Sequence, residues 1–225
     1  MRVDMHRIVN RKAEEKKMIE AGPSWMRGFF KNHVVYVVGS GPSMGGFDYD
    51  SLADKKTIAV NHEILYVPNP SVWCFGDWHT IYNAGVRPMN VLPCRTITFD
   101  GTPLNVIDEE YVTRFPRLRD WKKIDDSFAA GCFSRFSSST FAAHFAIMAG
   151  AIGVQLLGID CGGADGKTHH YTGDGLHPKW GSGKEQHMAE KKAEGYEKQI
   201  ADWRLLSLRF PGIIKSDGVL GEVLA

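Results

Sequence analysis

Several short stretches of this chain are apolar without interruption, and that continuity constrains the fold more than any other feature. His33-Val34-Val35-Tyr36-Val37-Val38 is β-branched or aromatic at nearly every position and ends at Gly39. A strand with one wet face alternates apolar and polar residues, whereas an unbroken run suits a strand covered on both faces, as in a parallel sheet. Thr57-Ile58-Ala59-Val60-Asn61 and Ser71-Val72-Trp73-Cys74-Phe75 repeat the pattern, Arg95-Thr96-Ile97-Thr98-Phe99 does so more weakly, and Val154–Ile159 and Ile213-Ile214 follow. A helix is predicted from about Ser138 to Ala149, where Ala142, Ala143, Ala146 and Ala149 permit close approach to a sheet. A second, amphipathic helix is predicted from about Glu185 to Leu208, with Ala189, Ala193, Tyr196, Ile200 and Trp203 at helical spacing.

Strands alternating with helices imply the α/β class: a single Rossmann-like domain with a mostly parallel sheet flanked by helices. We expect it over residues 33–225, preceded by a charged helical arm over residues 1–32. Arg11–Lys17 would lie on a solvated helix, and Trp25 and Phe29-Phe30 would dock on the core. The window Phe141–Ile159 is just long enough to span a bilayer, but Gly150 and Gly153 divide it into a helix and a strand.

Composition narrows the functional classes. A chain that is 43% hydrophobic is not disordered, and a formal net charge of +1 supplies no global attraction to nucleic acid or anionic membrane. Cys74, Cys94, Cys132 and Cys161 form no CxxC pair and read as reduced thiols, and the first residues lack the apolar stretch of a secretory signal, so a cytoplasmic protein is expected. Glycine is in surplus, 24 of 225 residues. Residues 39–46 hold four of them and residues 158–183 hold eight, which reads as a cradle and a short mobile lid.

In open α/β sheets, ligands bind beyond the carboxyl ends of the strands. Those ends here are Gly39-Ser40-Gly41-Pro42-Ser43, Asn61-His62-Glu63, Gly76-Asp77 and Asp160. The glycine loop would bring backbone N–H groups to an anionic ligand, or else form a tight turn. Asn61 suits a ribose or base edge, or a turn; Asp77 and Asp160 suit a hydroxyl or a metal, or a cap. Asp48-Tyr49-Asp50 matches a DxD metal pair superficially and could equally begin a helix. His169 to His177 gathers acid–base side chains, and Arg114, Arg117, Arg119, Lys122 and Lys123 interleave with Phe115 and Trp121 as a nucleic-acid or phosphorylated-acceptor surface would, or as a solvated face with aromatic anchors.

Three motifs in order resemble a known group. Gly39-Ser40-Gly41-Pro42-Ser43-Met44, then Asp48-Tyr49 and Leu52, resembles the GNGPSL…DY…L opening of bacterial sialyltransferases of the Campylobacter lipooligosaccharide type, the family 42 glycosyltransferases. Arg135-Phe136-Ser137-Ser138 through Gly150 to Gly158-Ile159-Asp160 is similar to that family's R-x-T/S-S…G…GID block, and His170-Tyr171-x-Gly173 to its HYxGH segment. The likeness spans about residues 33–217, and the wider superfamily includes DUF115 proteins, among them 6-hydroxymethylpterin diphosphokinase-like enzymes and phage-encoded members. Departures stand beside it: Ser40 replaces the family's asparagine, Asp174 its general-base histidine, and Gly162 and Thr168 fall near its two phosphate-steadying tyrosines.

The resemblance implies a metal-independent glycosyltransferase with a CMP-sugar-like donor as substrate, no tightly bound cofactor, and a hydroxyl acceptor that is a glycan, a lipid-linked glycan or a modified base. Donor contacts would come from Gly39, Ser40, Gly41, Pro42, Ser43, Asn61, Asp77, Arg135, Ser137, Ser138, Asp160, Lys167 and Tyr171. Asp174, His170 or His177 would take the acceptor proton, and Lys167, Arg135 or loop N–H groups would stabilise the leaving phosphate. The alternatives are a Mg-dependent, ATP-using diphosphokinase-like enzyme with Asp77 and Asp160 on the metal, or a non-catalytic nucleotide-binding protein of phage origin, placed in the host cytoplasm. A homo-oligomer is compatible with either.

Overall fold

The computed structural model describes residues 25–76, 94–99, 112–124, 131–161, 185–217 and 219–224. The charged arm before Trp25 lies outside the described residues, as do Asp77, Lys167, His170, Tyr171, Asp174 and His177.

The expected continuous runs are strands: β1 Val34–Val38, β2 Lys56–Val60, β3 Val72–Phe75, β4 Arg95–Phe99 and β8 Gly153–Leu157, with β9 at Ile214–Ser216. With β5 Val112–Phe115 they form one seven-stranded sheet in the order β5-β4-β3-β2-β1-β8-β9, every neighbouring pair parallel. Chain order runs outward from β1 to β5 and then returns to β8 on the other side of β1. The switch point therefore lies between β1 and β8, which is where an open α/β sheet forms its ligand crevice.

The two faces are covered differently. Val35, Val37, Ile58, Val60, Val72, Cys74, Val154 and Leu156 share one core with helix α1, Ser138–Met148. Ala142, Ala143, Ala146 and Ala149 are wholly buried, as the expected close approach requires. Val38, Ala59, Trp73 and Phe75 face the other way, under Met44, Leu52 and Val67 from short connections. Those connections are 3-10 turns at Pro42–Met44, Tyr49–Leu52 and Asn61–Leu65 rather than the helices expected to flank the sheet. Asp48 caps the second of them, its Oδ1 accepting the Asp50 N–H at 3.1 Å, so this DxD pattern serves a turn.

Helix α1 ends at Ala149, and Gly150 takes φ +95°. Gly150 N–H donates to the Ile147 carbonyl and Ala151 N–H to that of Ala146, the pairing of a Schellman stop. This is the device that divides the apolar window into helix and strand, and no helix among the described residues is long and apolar enough to cross a membrane. Met26 and Phe30 are fully buried against the same core, with Phe30 N–H donating to the Ala149 carbonyl at 3.0 Å, so residues from 25 onward dock as expected. The amphipathic helix α2 runs Glu185–Arg209, and a short α3, Val219–Leu224, packs on β9 and α2.

Two regions differ from the sequence reading. Beside β5, a small parallel ladder joins β6, Arg117–Leu118, to β7, Cys132–Phe133. Arg117, read as a candidate phosphate contact, is drawn inward instead. Its Nε donates to the Ser134 carbonyl at 3.0 Å, its Nη2 to the Arg135 carbonyl at 2.8 Å, and its guanidinium lies 4.6 Å over the Phe99 ring. Burial pulls its pKa downward, with Arg119 adding to the effect. Phe115 is a buried anchor, while Trp121 is exposed.

Candidate functional site

Gly39 extends β1 and Gly158 ends β8, and the turns that follow them lie against each other at the switch point. Gly39 N–H donates to the Leu157 carbonyl and Gly41 N–H to the Gly158 carbonyl, each at 2.8 Å. A Cβ on Gly41 would stand 2.5 Å from Asp160 Oδ2 and 2.7 Å from the Gly158 carbonyl oxygen. Gly158 itself has φ +62°, and a Cβ there would reach within 2.1 Å of the Gly39 carbonyl oxygen. Glycine is needed because two backbones touch.

Asp160 completes the junction. Its Oδ2 accepts the Ser43 N–H at 2.8 Å and its Oδ1 the Ser43 hydroxyl at 2.6 Å. The carboxylate thus satisfies a donor in the first turn of the Pro42–Met44 segment, where Pro42 has no N–H to satisfy. These bonds revise the cradle expected of this loop. The N–H groups of Gly39, Gly41 and Ser43 point into the protein, and Pro42 and Ser43 stand behind the wall of the site rather than in it.

A cavity of about 240 Å3 opens beside this junction. Gly39, Ser40 and Gly41 form one side, Asn61 and Asp160 line it further round, and Ser137 and Ser138 close it at the start of α1. The structure therefore brings seven of the sequence-derived candidates around one space.

Asn61 is the most informative of them. It follows β2 directly and holds φ +55°, a left-handed conformation that asparagine tolerates better than most residues. Trp73 Nε1 donates to its carbonyl at 2.8 Å and fixes that turn. Its side-chain Oδ1 is buried and accepts no hydrogen bond in the structure. A buried acceptor without a donor costs on the order of 1–3 kcal/mol, so a ligand that donates there recovers that free energy.

The bend before α1 supplies the second polar feature. Ser137 caps the helix, its Oγ accepting the Ser139 N–H at 3.1 Å and also meeting the Ser139 hydroxyl. The first N–H groups of an α-helix have no intrahelical carbonyl to donate to, and the helix dipole makes that end favourable for negative charge. Ser138 and Ser139 both face the cavity. Arg135, proposed from sequence for the leaving phosphate, does not line the cavity. Its Nε pairs with Asp202 Oδ1 at 2.5 Å, although 30% of its side chain stays exposed.

No family model matches this chain, and no curated protein does. Among solved structures, it is similar to the sialyltransferase CstII from Campylobacter jejuni in complex with the substrate analogue CMP-3FNeuAc. The identity is 13%, the TM-score 0.48, and the match covers 85% of this chain and 84% of that one.

Several residues at the site were not among the candidates. Phe136, Ser139, Cys161, Tyr196 and Gln199 also line the cavity. Tyr196 was read as part of the apolar stripe of α2, and that stripe turns its carboxyl-proximal half toward the site. Burial pushes the Cys161 thiol up to about 12 despite the opposing influence of Trp203, so at neutral pH it is a protonated wall group and no nucleophile. Burial raises the Tyr196 hydroxyl as well, with Cys161 contributing. Asp202, wholly buried on α2, lay among ordinary helix charges with no local signal.

Proposed function

We propose that this chain is a glycosyltransferase taking its sugar from a CMP-sugar-like donor and delivering it to an acceptor hydroxyl. The observation that carries the proposal is the buried, unpaired Asn61 Oδ1 in a cavity at the switch point of a parallel sheet. The order of the three motifs, with Asn61 at the end of the second strand, supports the same reading.

In this arrangement Asn61 holds the nucleoside and the start of α1, with Ser137 and Ser138, faces the phosphate. Gly39–Gly41, braced by Ser43 and Asp160, forms the wall on which the donor lies. The acceptor oxygen attacks the anomeric carbon as the bond from that carbon to the phosphate oxygen breaks. The electron pair leaves with the nucleoside monophosphate, and the hydroxyl proton passes to a base among Asp174, His170 and His177. Negative charge develops on the departing phosphate, which is the charge a helix amino terminus stabilises.

The test is a thermal-shift panel of CMP, UDP, ADP and their sugars, run in EDTA and in Mg²⁺. A rise in melting temperature with CMP or CMP-sugar in EDTA supports the proposal. A rise confined to ATP with Mg²⁺ points to the diphosphokinase-like alternative, and no rise with any nucleotide overturns both.

A further inference from the structure

Phe136 is 47% exposed, yet it sits on one of the most firmly held segments of the molecule, at the rim of the cavity. Asp202 accepts the backbone N–H of Arg135 at 3.1 Å and of Phe136 at 3.2 Å, besides the Arg135 side chain. From the other side Arg117 grips the carbonyls of Ser134 and Arg135. The Ser134 hydroxyl donates to the Ser137 carbonyl at 2.7 Å, which closes the bend. A clamped bend that holds an aromatic ring in water presents the ring as a surface, since a merely structural residue there would be turned inward.

Two cations stand beside that ring. The Arg135 guanidinium carbon lies 5.6 Å from its centroid and Lys198 Nζ lies 5.8 Å from it. Arg135 is partly exposed and Lys198 is exposed on α2. The donor phosphate has its place at the helix start, so positive charge at the rim is available to a second anion. An apolar ring face flanked by cations matches a sugar ring whose C–H face covers the aromatic while an anionic substituent meets the charges.

We propose that Phe136, Arg135 and Lys198 form the acceptor subsite, and that the acceptor is a sugar ring carrying a phosphate or carboxylate group. The inference rests on the glycosyltransferase reading and names the acceptor class for that same site. Asp202 is its positioning residue, acting through Arg135 and the bend.

Calorimetric titration of the full chain saturated with CMP tests it, using the methyl glycosides of galactose, galactose 6-phosphate and galacturonic acid. The anionic sugars are expected to bind about tenfold tighter than galactose. The phosphate and carboxylate arms identify which anion is preferred. Phe136→Ala should weaken the anionic sugar about tenfold, with Phe136→Tyr restoring it, and Lys198→Gln should reduce the preference for anion over neutral sugar. Urea denaturation of each variant separates lost binding from lost fold. Equal affinity for all three sugars, no binding of any, or full affinity in folded Phe136→Ala overturns the subsite. The CMP titration that precedes each run reports on the donor reading by itself. If CMP fails to bind, the same sugars titrated into the unliganded chain still decide the rim.

Discussion

The glycine loop after β1 and the serine bend before α1 face each other across one cavity, and they use their polar groups in opposite ways. The loop spends its donors inward: Gly39 and Gly41 bond the β8 turn, and Ser43 bonds Asp160. The bend is held from behind by Asp202 and Arg117, which leaves the start of α1 and the Phe136 ring facing the cavity. Glycine-rich sequence thus marks where two backbones meet, while serine-rich sequence marks where ligand contacts are offered. The loop is a wall and the bend is a platform.

Breaking the platform should cost most. Asp202→Ala removes the acceptor of two backbone N–H groups and the partner of Arg135, and should lower stability by about 3 kcal/mol in urea denaturation. Breaking the wall should cost somewhat less. Gly41→Ala forces a methyl against Asp160 and the Gly158 carbonyl, for a loss of about 2 kcal/mol by the same measurement. Ser137→Ala deletes the α1 cap alone and should cost about 1 kcal/mol while also weakening nucleotide binding in the thermal-shift panel. Asn61→Gly is the sharpest discriminator, because glycine keeps φ +55° without strain. It should leave stability within about 0.5 kcal/mol while abolishing the CMP-induced shift in melting temperature.

Legibility in the sequence followed burial and locality. Strands β1 to β4 and β8 are buried on both faces and therefore appear as unbroken runs. Strand β5, at the sheet edge, has three of its four residues only partly buried, and Val112-Thr113-Arg114-Phe115 accordingly shows no such run. The two-residue strands β6 and β7 exist only through each other, so no local pattern announces them. Asn61 was visible because it ends a strand; its left-handed backbone and orphaned oxygen arise from tertiary packing. Asp202 was invisible for a related reason, since its partner Arg135 lies 67 positions away in the chain. The glycine motif was found in the right place, but its bonding runs to β8 and could be learned only from the pairing of β1 with β8.

Amide hydrogen exchange, measured residue by residue with and without CMP, tests the division between wall and platform most directly. The account predicts that Gly39, Gly41 and Ser43 are already protected in the free protein and change little, while Ser138 gains protection when CMP binds. Fast exchange at Gly41 and Ser43 in the free protein, slowed by CMP while Ser138 stays unchanged, would contradict it.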